Sequence, residues 1–392
     1  MSGGPLPLAG VKVLELARIL AGPWAGQTLA DLGAEVIKVE SPHGDDTRKW
    51  GPPFVENEEG RVDAAYFHAC NRGKQSVLAD FNKSDDLAFV KRLIADADIV
   101  IENFKVGGLV RFGLDYQTLA QDHPALVYCS ITGFGQTGPY AARAGYDVIV
   151  QGMSGMMDLT GDPDGPPQKI GVALADIISG LYAVIGIQSA LSLRERTGKG
   201  QHIDIALLDS MVGVLANQAQ NLFVSGVAPR RMGNAHPNLA PYQPFPVADG
   251  HFILAVGNDG QFARLCEIVD RAELASDPDF ATNPERVANR DRLIAELETA
   301  FSGWTKQDIL AACEAAGIPA GPINALDDVF DDPQVLARGL RIDLPGGTSG
   351  VRTPIRFSDA ALQLNVPAPA LGQHDETVRC KTKTRPISTF GA

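Results

Sequence analysis

The sequence is poor in several features, and each shortage excludes something. Its five cysteines (Cys70, Cys129, Cys266, Cys313 and Cys380) are scattered and form no CxxC pair. That fits reduced, mostly structural thiols rather than a disulfide framework. The seven histidines show no HExxH or comparable ligand spacing, which speaks against a zinc site. Basic charge is scarce: 34 Lys and Arg stand against 47 Asp and Glu, a net charge of −13. Such a balance argues against nucleic acid as the main partner. A polyanionic small ligand would need a local basic patch rather than the overall field. No apolar run is expected to reach membrane-spanning length. The N-terminus Met1-Ser2-Gly3-Gly4-Pro5 carries neither a basic region nor a hydrophobic signal core. The expectation is a cytoplasmic protein without a membrane partner. Internal repeats and low-complexity tracts are also missing.

What is present is enough for a large core: 392 residues, 45% of them apolar, with two domains as the expectation from length. Val11-Lys12-Val13-Leu14-Glu15-Leu16 reads as a first strand, with a turn at residues 21–26 and a helix over 27–33. Further strands are predicted at residues 35–40, 75–81, 98–104 and 126–131, and an amphipathic helix at 85–96. Strands of β-branched residues alternating with helices imply right-handed crossovers and a doubly wound, mostly parallel sheet. In such sheets ligands bind beyond the carboxyl ends of the strands. Gly133-Phe134-Gly135-Gln136-Thr137-Gly138 has the form GxGxxG, but it follows the fifth strand and runs into Pro139. It reads as a tight glycine-rich loop rather than a dinucleotide fingerprint. Later, Asp249-Gly250 predicts a hairpin. Helices are expected over 261–269, 289–301 and 305–316, a strand over 351–357, and a loose basic tail over 381–392.

The chain is organised around residues 145–200, where Gly165-Pro166-Pro167 feeds an apolar run interrupted by one carboxylate, Asp176. Ile177, Leu181, Val184, Ile185, Gln188 and Leu191 then recur at helical spacing. Asp176 therefore stands where a helix begins. It reads either as an N-cap or as a carboxylate that stays ionised while stripped of much of its water, which suits a nucleophile.

Several stretches resemble the class III CoA-transferases, also called the CaiB/BaiF family. They include Val13-Leu14-Glu15-Leu16 with Ala21-Gly22-Pro23, Leu32-Gly33-Ala34-Glu35, Glu102-Asn103-Phe104 and the loop Gly133 to Pro139. Gly145-Tyr146-Asp147, Asp176-Ile177-Ile178-Ser179-Gly180, Thr197-Gly198-Lys199-Gly200-Gln201, Gly317-Ile318-Pro319 and Leu371-Gly372-Gln373-His374 extend the match over almost the whole chain. The family holds formyl-CoA, carnitine and succinate-using transferases, with alpha-methylacyl-CoA racemase as a cousin. The resemblance implies a Rossmann-like α/β large domain with a smaller α+β domain, in an interlocked homodimer. The expected layout is 1–200 for the CoA-binding part, 201–228 as linker, 229–321 as the small domain and 322–392 as a return segment.

By the same resemblance Asp176 attacks an acyl-CoA thioester, and CoA passes through aspartyl intermediates to a small carboxylic acid. CoA is a substrate, and no permanently bound cofactor is expected. CoA contacts carry over to Leu20, Ala21, Ser41, Ala79, Asp80, Phe81, Asn82, Asn103, Phe104, Lys105, Arg111, Ala144, Gly145, Tyr146 and Asp147. Arg111 is either a bidentate phosphate partner or a solvated arginine. Relative to formyl-CoA transferase, Leu20 replaces a glutamine, Ser41 an arginine, and Asn82 and Ala144 each a lysine. These departures weigh against formyl or oxalyl substrates. The racemase has a histidine where this chain has Tyr146, and a phenol is a poor base at neutral pH. An epimerase would need another base, such as Asp259. The loop bearing Arg230 and Arg231 resembles members using dicarboxylates such as succinate, whose distal carboxylate either arginine could pair. A CoA-binding protein without turnover, with Asp176 only a cap, is the reading outside the enzymes.

Overall fold

The computed structural model describes residues 4–56, 60 and 62–383. Six strands form one sheet: β1 (Lys12–Glu15), β2 (Glu35–Glu40), β3 (Lys74–Leu78), β4 (Ile99–Glu102), β5 (Val127–Thr132) and β6 (His202–Ala206). They lie in the order β3-β2-β1-β4-β5-β6, and every neighbouring pair is parallel. The helices that matter below are α1 (Ala21–Asp31), α2 (Ala65–His68), α3 (Ser84–Ala95), α4 (Asp147–Met153), α5 (Leu174–Thr197) and α6 (Leu207–Gly213). Alternate strand residues face opposite layers, as a pleated strand requires. Val13, Ile99, Ile101, Val127 and Cys129 join Leu29 of α1 with Ala183 and Ile187 of α5 in one core. Leu14, Val100 and Tyr128 join Phe89, Val90 and Ile94 of α3 in the other. Both faces are therefore covered, and the expected α/β fold with a parallel sheet is present. Strand order turns back at β1, so the carboxyl ends of β1 and β4 frame the switch point where such sheets hold ligands.

By internal contacts the chain divides into two compact units, one built from residues 1–156, 169–220 and 333–392, the other from 157–168 and 221–332. In the second unit β7 (Tyr242–Val247) and β8 (Gly250–Ala255) form an antiparallel hairpin, with β9 (Ala320–Pro322) on the far side of β8. The hairpin is the one expected at Asp249-Gly250. Helices α7 (Asp259–Ile268), α8 (Arg290–Phe301) and α9 (Lys306–Ala315) match their predicted spans within two residues. Their core centres on Phe245, Phe252 and Phe301, whose rings meet edge to face at 5.1 and 5.2 Å around Phe301.

Several expectations need correction. Helix α1 starts at Ala21 rather than 27, because Pro23 sits in the first turn, where its missing amide has no helical partner to lose. The expected linker 201–228 contributes the edge strand β6 and helix α6. Strand residues near 351 are confined to Ser349–Val351, paired with Arg341–Asp343 away from the main sheet. The expected loose tail begins inside a helix, α10 (Asp375–Lys383), and residues 384–392 lie outside the described set. Helix α5, with 24 residues, is long and apolar enough by length and composition to cross a membrane, contrary to the expectation for the chain. Glycine, serine and glutamine interrupt its apolar residues without making it polar.

Of the residues recurring at helical spacing in α5, Val184 and Leu191 are buried, whereas Leu181 and Ile185 are exposed. Ala175, Ser179, Gly180, Ala183, Val184, Ile187, Ala190 and Leu191 are buried. Leu181, Tyr182 and Ile185 are 41%, 42% and 59% exposed. Small residues let α1 come close, and the larger ones face away.

Candidate active site

The site is built at the start of α5. Ala173 is the N-cap residue, and its side chain makes no cap. Asp176 is the third residue of the helix, so the N-cap reading of it is corrected by three positions. The backbone N–H of Ala21, across the contact with α1, lies near its carboxylate and favours the charged form. Burial is the largest influence on this carboxyl and the nearby Asp147 charge the second; together they outweigh the Ala21 amide and push it up to about 7. Desolvation without full neutralisation is the expected state of such a nucleophile, and at about 7 the charged and neutral forms coexist near neutral pH. Burial, then the Asp176 charge, push the Tyr66 phenol on α2 up to about 12.

Two close approaches fix this geometry. A β-carbon at Gly180 would come within 3.2 Å of the Trp24 side chain on α1, so only glycine lets the helices meet here. At the end of β5, Gly133 lies against Gly145, where a β-carbon on either would stand 2.5 Å from the other's Cα. That crossing holds Tyr146 and Asp147 at the start of α4. The GxGxxG run has no helix after it, and Gly135 and Gly138 take φ of 84° and 93° as turn residues.

The Ala21 amide is presented by the turn after β1, which a buried ionic cluster holds. Lys38 Nζ donates to Glu15 Oε1 at 2.9 Å and to the Ala17 carbonyl at 2.8 Å, and pairs with Asp45 at 2.9 Å. Lys74 Nζ pairs with the same Glu15 at 2.8 Å and donates to the Pro23 carbonyl at 2.8 Å. Asp45 in turn accepts the Ile19 amide at 3.1 Å, and Ile19 sits in the left-handed region at φ 72°. Glu15, Lys38 and Lys74 are at most 1% exposed. Such charges persist in a core only when each is paired.

The expected CoA residues lie at the carboxyl ends of the parallel strands. Leu20 and Ala21 follow β1, Ser41 follows β2, Ala79 to Asn82 follow β3, and Asn103 to Lys105 follow β4. Leu20, Ala21 and Ala79 are buried, whereas Ser41, Asn82, Lys105 and Arg111 are exposed. Phe81 stacks on Phe104 at 6.1 Å, and the Arg111 guanidinium lies 4.4 Å over the Phe112 ring. The Asn103 carboxamide grips both the amide and the carbonyl of Arg18, at 3.0 and 2.7 Å. It braces the β1 turn across the switch point. Ala144 and Tyr146 are exposed beside Gly145. Asp147 Oδ1 accepts the Ala175 amide at 2.8 Å and its Oδ2 accepts Gln151 Nε2 at 2.7 Å. In the second unit, Arg231 donates to both the carboxylate and the carbonyl of Asp158, at 2.8 and 3.1 Å, and Arg230 is exposed. Asp259, the base an epimerase would need, is paired with the Arg286 guanidinium at 2.7 Å. Among the described residues no group of three or more His, Cys, Asp or Glu could hold a metal ion.

Sequence reasoning missed Tyr66, Gln151 and the Glu15–Lys38–Lys74 cluster. The signal for the cluster was legible, since a lysine inside a strand buried on both faces needs a partner. Tyr66 and Gln151 carried no signal of their own.

Comparison with known proteins identifies the family. Residues 8–375 match the family description CoA-transferase family III. The chain is 56% identical over 384 residues to a succinate–glutarate CoA-transferase of Agrobacterium fabrum, covering 96% of each chain. It is 44% identical to the mouse succinyl-CoA:glutarate CoA-transferase, covering 94% of this chain and 84% of that one. A crystal structure of a CaiB/BaiF family protein from Brucella suis superposes with a TM-score of 0.88 at 62% identity, covering 97% of this chain and all of the other. With a half-buried acidic side chain at a helix start beside a parallel-sheet switch point, and these matches over nearly its full length, the chain belongs to CoA-transferase family III.

Proposed function

We propose that this enzyme moves CoA between succinyl-CoA and a second short dicarboxylic acid of the glutarate type, with Asp176 as the covalent carrier. The substrate pair is drawn from the activities named for the Agrobacterium and mouse relatives. The observation that carries the mechanism is Asp176 itself: partly desolvated, at the positive end of α5, with the Ala21 amide of α1 nearby.

An Asp176 oxygen attacks the thioester carbonyl, the C–S bond breaks, and CoA leaves as the thiolate. The product is a mixed anhydride. The thiolate then attacks the aspartyl carbonyl and expels the donor acid as its carboxylate, leaving Asp176 as a CoA thioester. An acceptor carboxylate displaces CoA from that thioester to give a second anhydride. Thiolate attack on the acceptor's acyl carbon forms the new acyl-CoA and restores Asp176. Desolvation makes the carboxylate a better nucleophile than it is in water, and excluded water protects both intermediates from hydrolysis. Leu174, Ile177 and Ile178 supply apolar walls beside it.

CoA would lie along the strand ends, with Arg111 and Lys105 as exposed cations for its phosphates. Arg230, exposed in the second unit, is the free partner for a distal carboxylate, because Arg231 is engaged by Asp158. A homodimer is supported by the apolar residues that the single chain leaves exposed: Leu181, Tyr182 and Ile185 on α5, with Val148, Ile149 and Met153 on α4. In this reading α5 is a core helix and not a membrane span, since one face of it joins the main hydrophobic core. The test is isotope exchange between labelled succinate and succinyl-CoA. Asp176→Ala abolishes exchange while CoA binding persists; exchange retained in that variant rules out the aspartyl route.

A further inference from the structure

The first turn of α5 has a feature that catalysis by Asp176 alone does not require. An acidic residue at the third position of a helix ordinarily turns back to the N-terminal amides. Here two of the first-turn amides are already occupied: the Leu174 amide donates to the Val172 carbonyl at 2.9 Å and the Ala175 amide to Asp147 Oδ1 at 2.8 Å, while the first intrahelical bond runs from the Ile177 amide to the Ala173 carbonyl at 3.1 Å. Asp147 comes from a different helix, α4, whose first residue it is.

Asp147 is itself held from the opposite side. Gln151, one turn along α4 and fully buried, donates Nε2 to Asp147 Oδ2 at 2.7 Å. Its Oε1 accepts the Ile170 amide at 2.9 Å. The carboxamide thus ties α4 to the segment leading into α5. Both oxygens of Asp147 have fixed partners, which leaves little freedom for a ligand-driven change of rotamer. The approach of Gly145 to Gly133 sets where this helix begins.

We infer that Asp147 is a positioning residue for the transfer reaction: by capping the Ala175 amide from α4, it takes that amide away from Asp176 and leaves the nucleophile turned towards α1 rather than onto its own helix. The inference rests on Asp176 being the nucleophile and adds a role that the CoA-contact expectation for Asp147 did not include. It has an electrostatic consequence, since a second carboxylate beside Asp176 disfavours the charged form. The other titratable side chain facing Asp176 is Tyr66 on α2, with Cys70 and Asp45 behind it. The phenol and the Cys70 thiol, both pushed up to about 12, stay neutral between pH 5 and 9, and Asp45, held low beside Lys38, stays charged. Asp147 is therefore the neighbour whose removal changes the field at Asp176.

The experiment compares Asp147→Asn and Asp147→Ala with the parent enzyme, following succinyl-CoA exchange from pH 5 to 9. Asparagine keeps an oxygen for the Ala175 amide and loses the charge. Its acid limb is expected to move down by about one pH unit, a tenfold change in proton affinity. Alanine frees the Ala175 amide for Asp176. It is expected to lower kcat by roughly 10–100-fold with KM for acyl-CoA little changed. An unmoved acid limb in Asp147→Asn, or a raised KM with kcat unchanged in Asp147→Ala, overturns the inference and makes Asp147 a CoA contact. The near-isosteric asparagine variant guards against loss of fold. Asp176→Ala, run alongside, separates the two layers: exchange surviving there sinks the nucleophile assignment, whereas exchange lost there with an unmoved Asp147→Asn limb sinks only the positioning role.

Discussion

A β-carbon placed on Gly180 would stand 2.7 Å from the carbonyl oxygen of Ala21, the residue whose amide lies near Asp176. Gly180→Ala must push α1 away from α5. The helix gains about 1 kcal/mol of propensity, while the overpacked contact costs about 1–3 kcal/mol. Stability is expected to fall by at most about 2 kcal/mol. Activity should fall much further, by at least about tenfold, because α1, which packs against the start of α5 beside the nucleophile, moves. Thermal unfolding and CoA exchange measured on the same sample check both.

The rate of transfer should rise with pH through a midpoint near 7, because the attacking form is the carboxylate and burial has pushed Asp176 up to about 7. The same shift has an opposite effect on stability. A carboxyl raised above its unfolded value of 3.8 contributes stability at low pH, and that contribution is lost as pH climbs through its folded value. Asp176→Asn is accordingly expected to be more stable than the parent at pH 8, by roughly 1–3 kcal/mol, and equal to it near pH 4. Denaturant titrations at the two pH values measure the difference.

Lys38→Met should be among the most damaging core substitutions. It leaves Asp45 without its cation and Glu15 with Lys74 alone, in a site from which water is excluded. Breaking a buried pair in this way costs about 3–5 kcal/mol. Chemical denaturation should show that loss, and a change below about 1 kcal/mol would mean that the cluster is dispensable.

At the sheet edge, His374 Nδ1 accepts the Ser76 amide of β3 at 3.2 Å, and Asp375 accepts the Leu78 amide at 3.0 Å. Burial holds the imidazole below its ordinary 6.5. Its contribution to stability is therefore full above about 6.5 and is lost as pH falls below that value. His374→Gln should flatten the fall in stability between pH 7 and 5 by about 1 kcal/mol. Paired denaturation curves for the two proteins report this directly.

Much of the fold was legible because its strands are short β-branched runs closed by turn residues, and each runs into a helix of clear period. The buried face of α5 was not. Periodicity favoured Leu181 and Ile185 because apolar bulk is the usual mark of a core. The helix instead buries Ala175, Ser179 and Ala183, since close approach to α1 rewards small side chains. Asp176 was identifiable from its position at a helix start inside an apolar run. Its surroundings were not: Ala21 contributes only a backbone amide, and Gln151, which holds Asp147 and the Ile170 amide, carries nothing in its own neighbourhood to mark it. Lys38, inside a strand buried on both faces, calls for a partner, but the sequence does not say which. Only the parallel register of β1, β2 and β3 brings Glu15, Lys38 and Lys74 together.

The covalent role of Asp176 can be read most directly from oxygen. After turnover with succinyl-CoA and a glutarate acceptor carrying ¹⁸O in its carboxylates, the peptide containing Asp176 is analysed by mass spectrometry. Passage through two anhydrides leaves the acceptor's bridging oxygen on the aspartate, a gain of about 2 Da per oxygen exchanged. An unlabelled Asp176 after many turnovers would show that CoA moves without a bond to this residue, and would contradict the account.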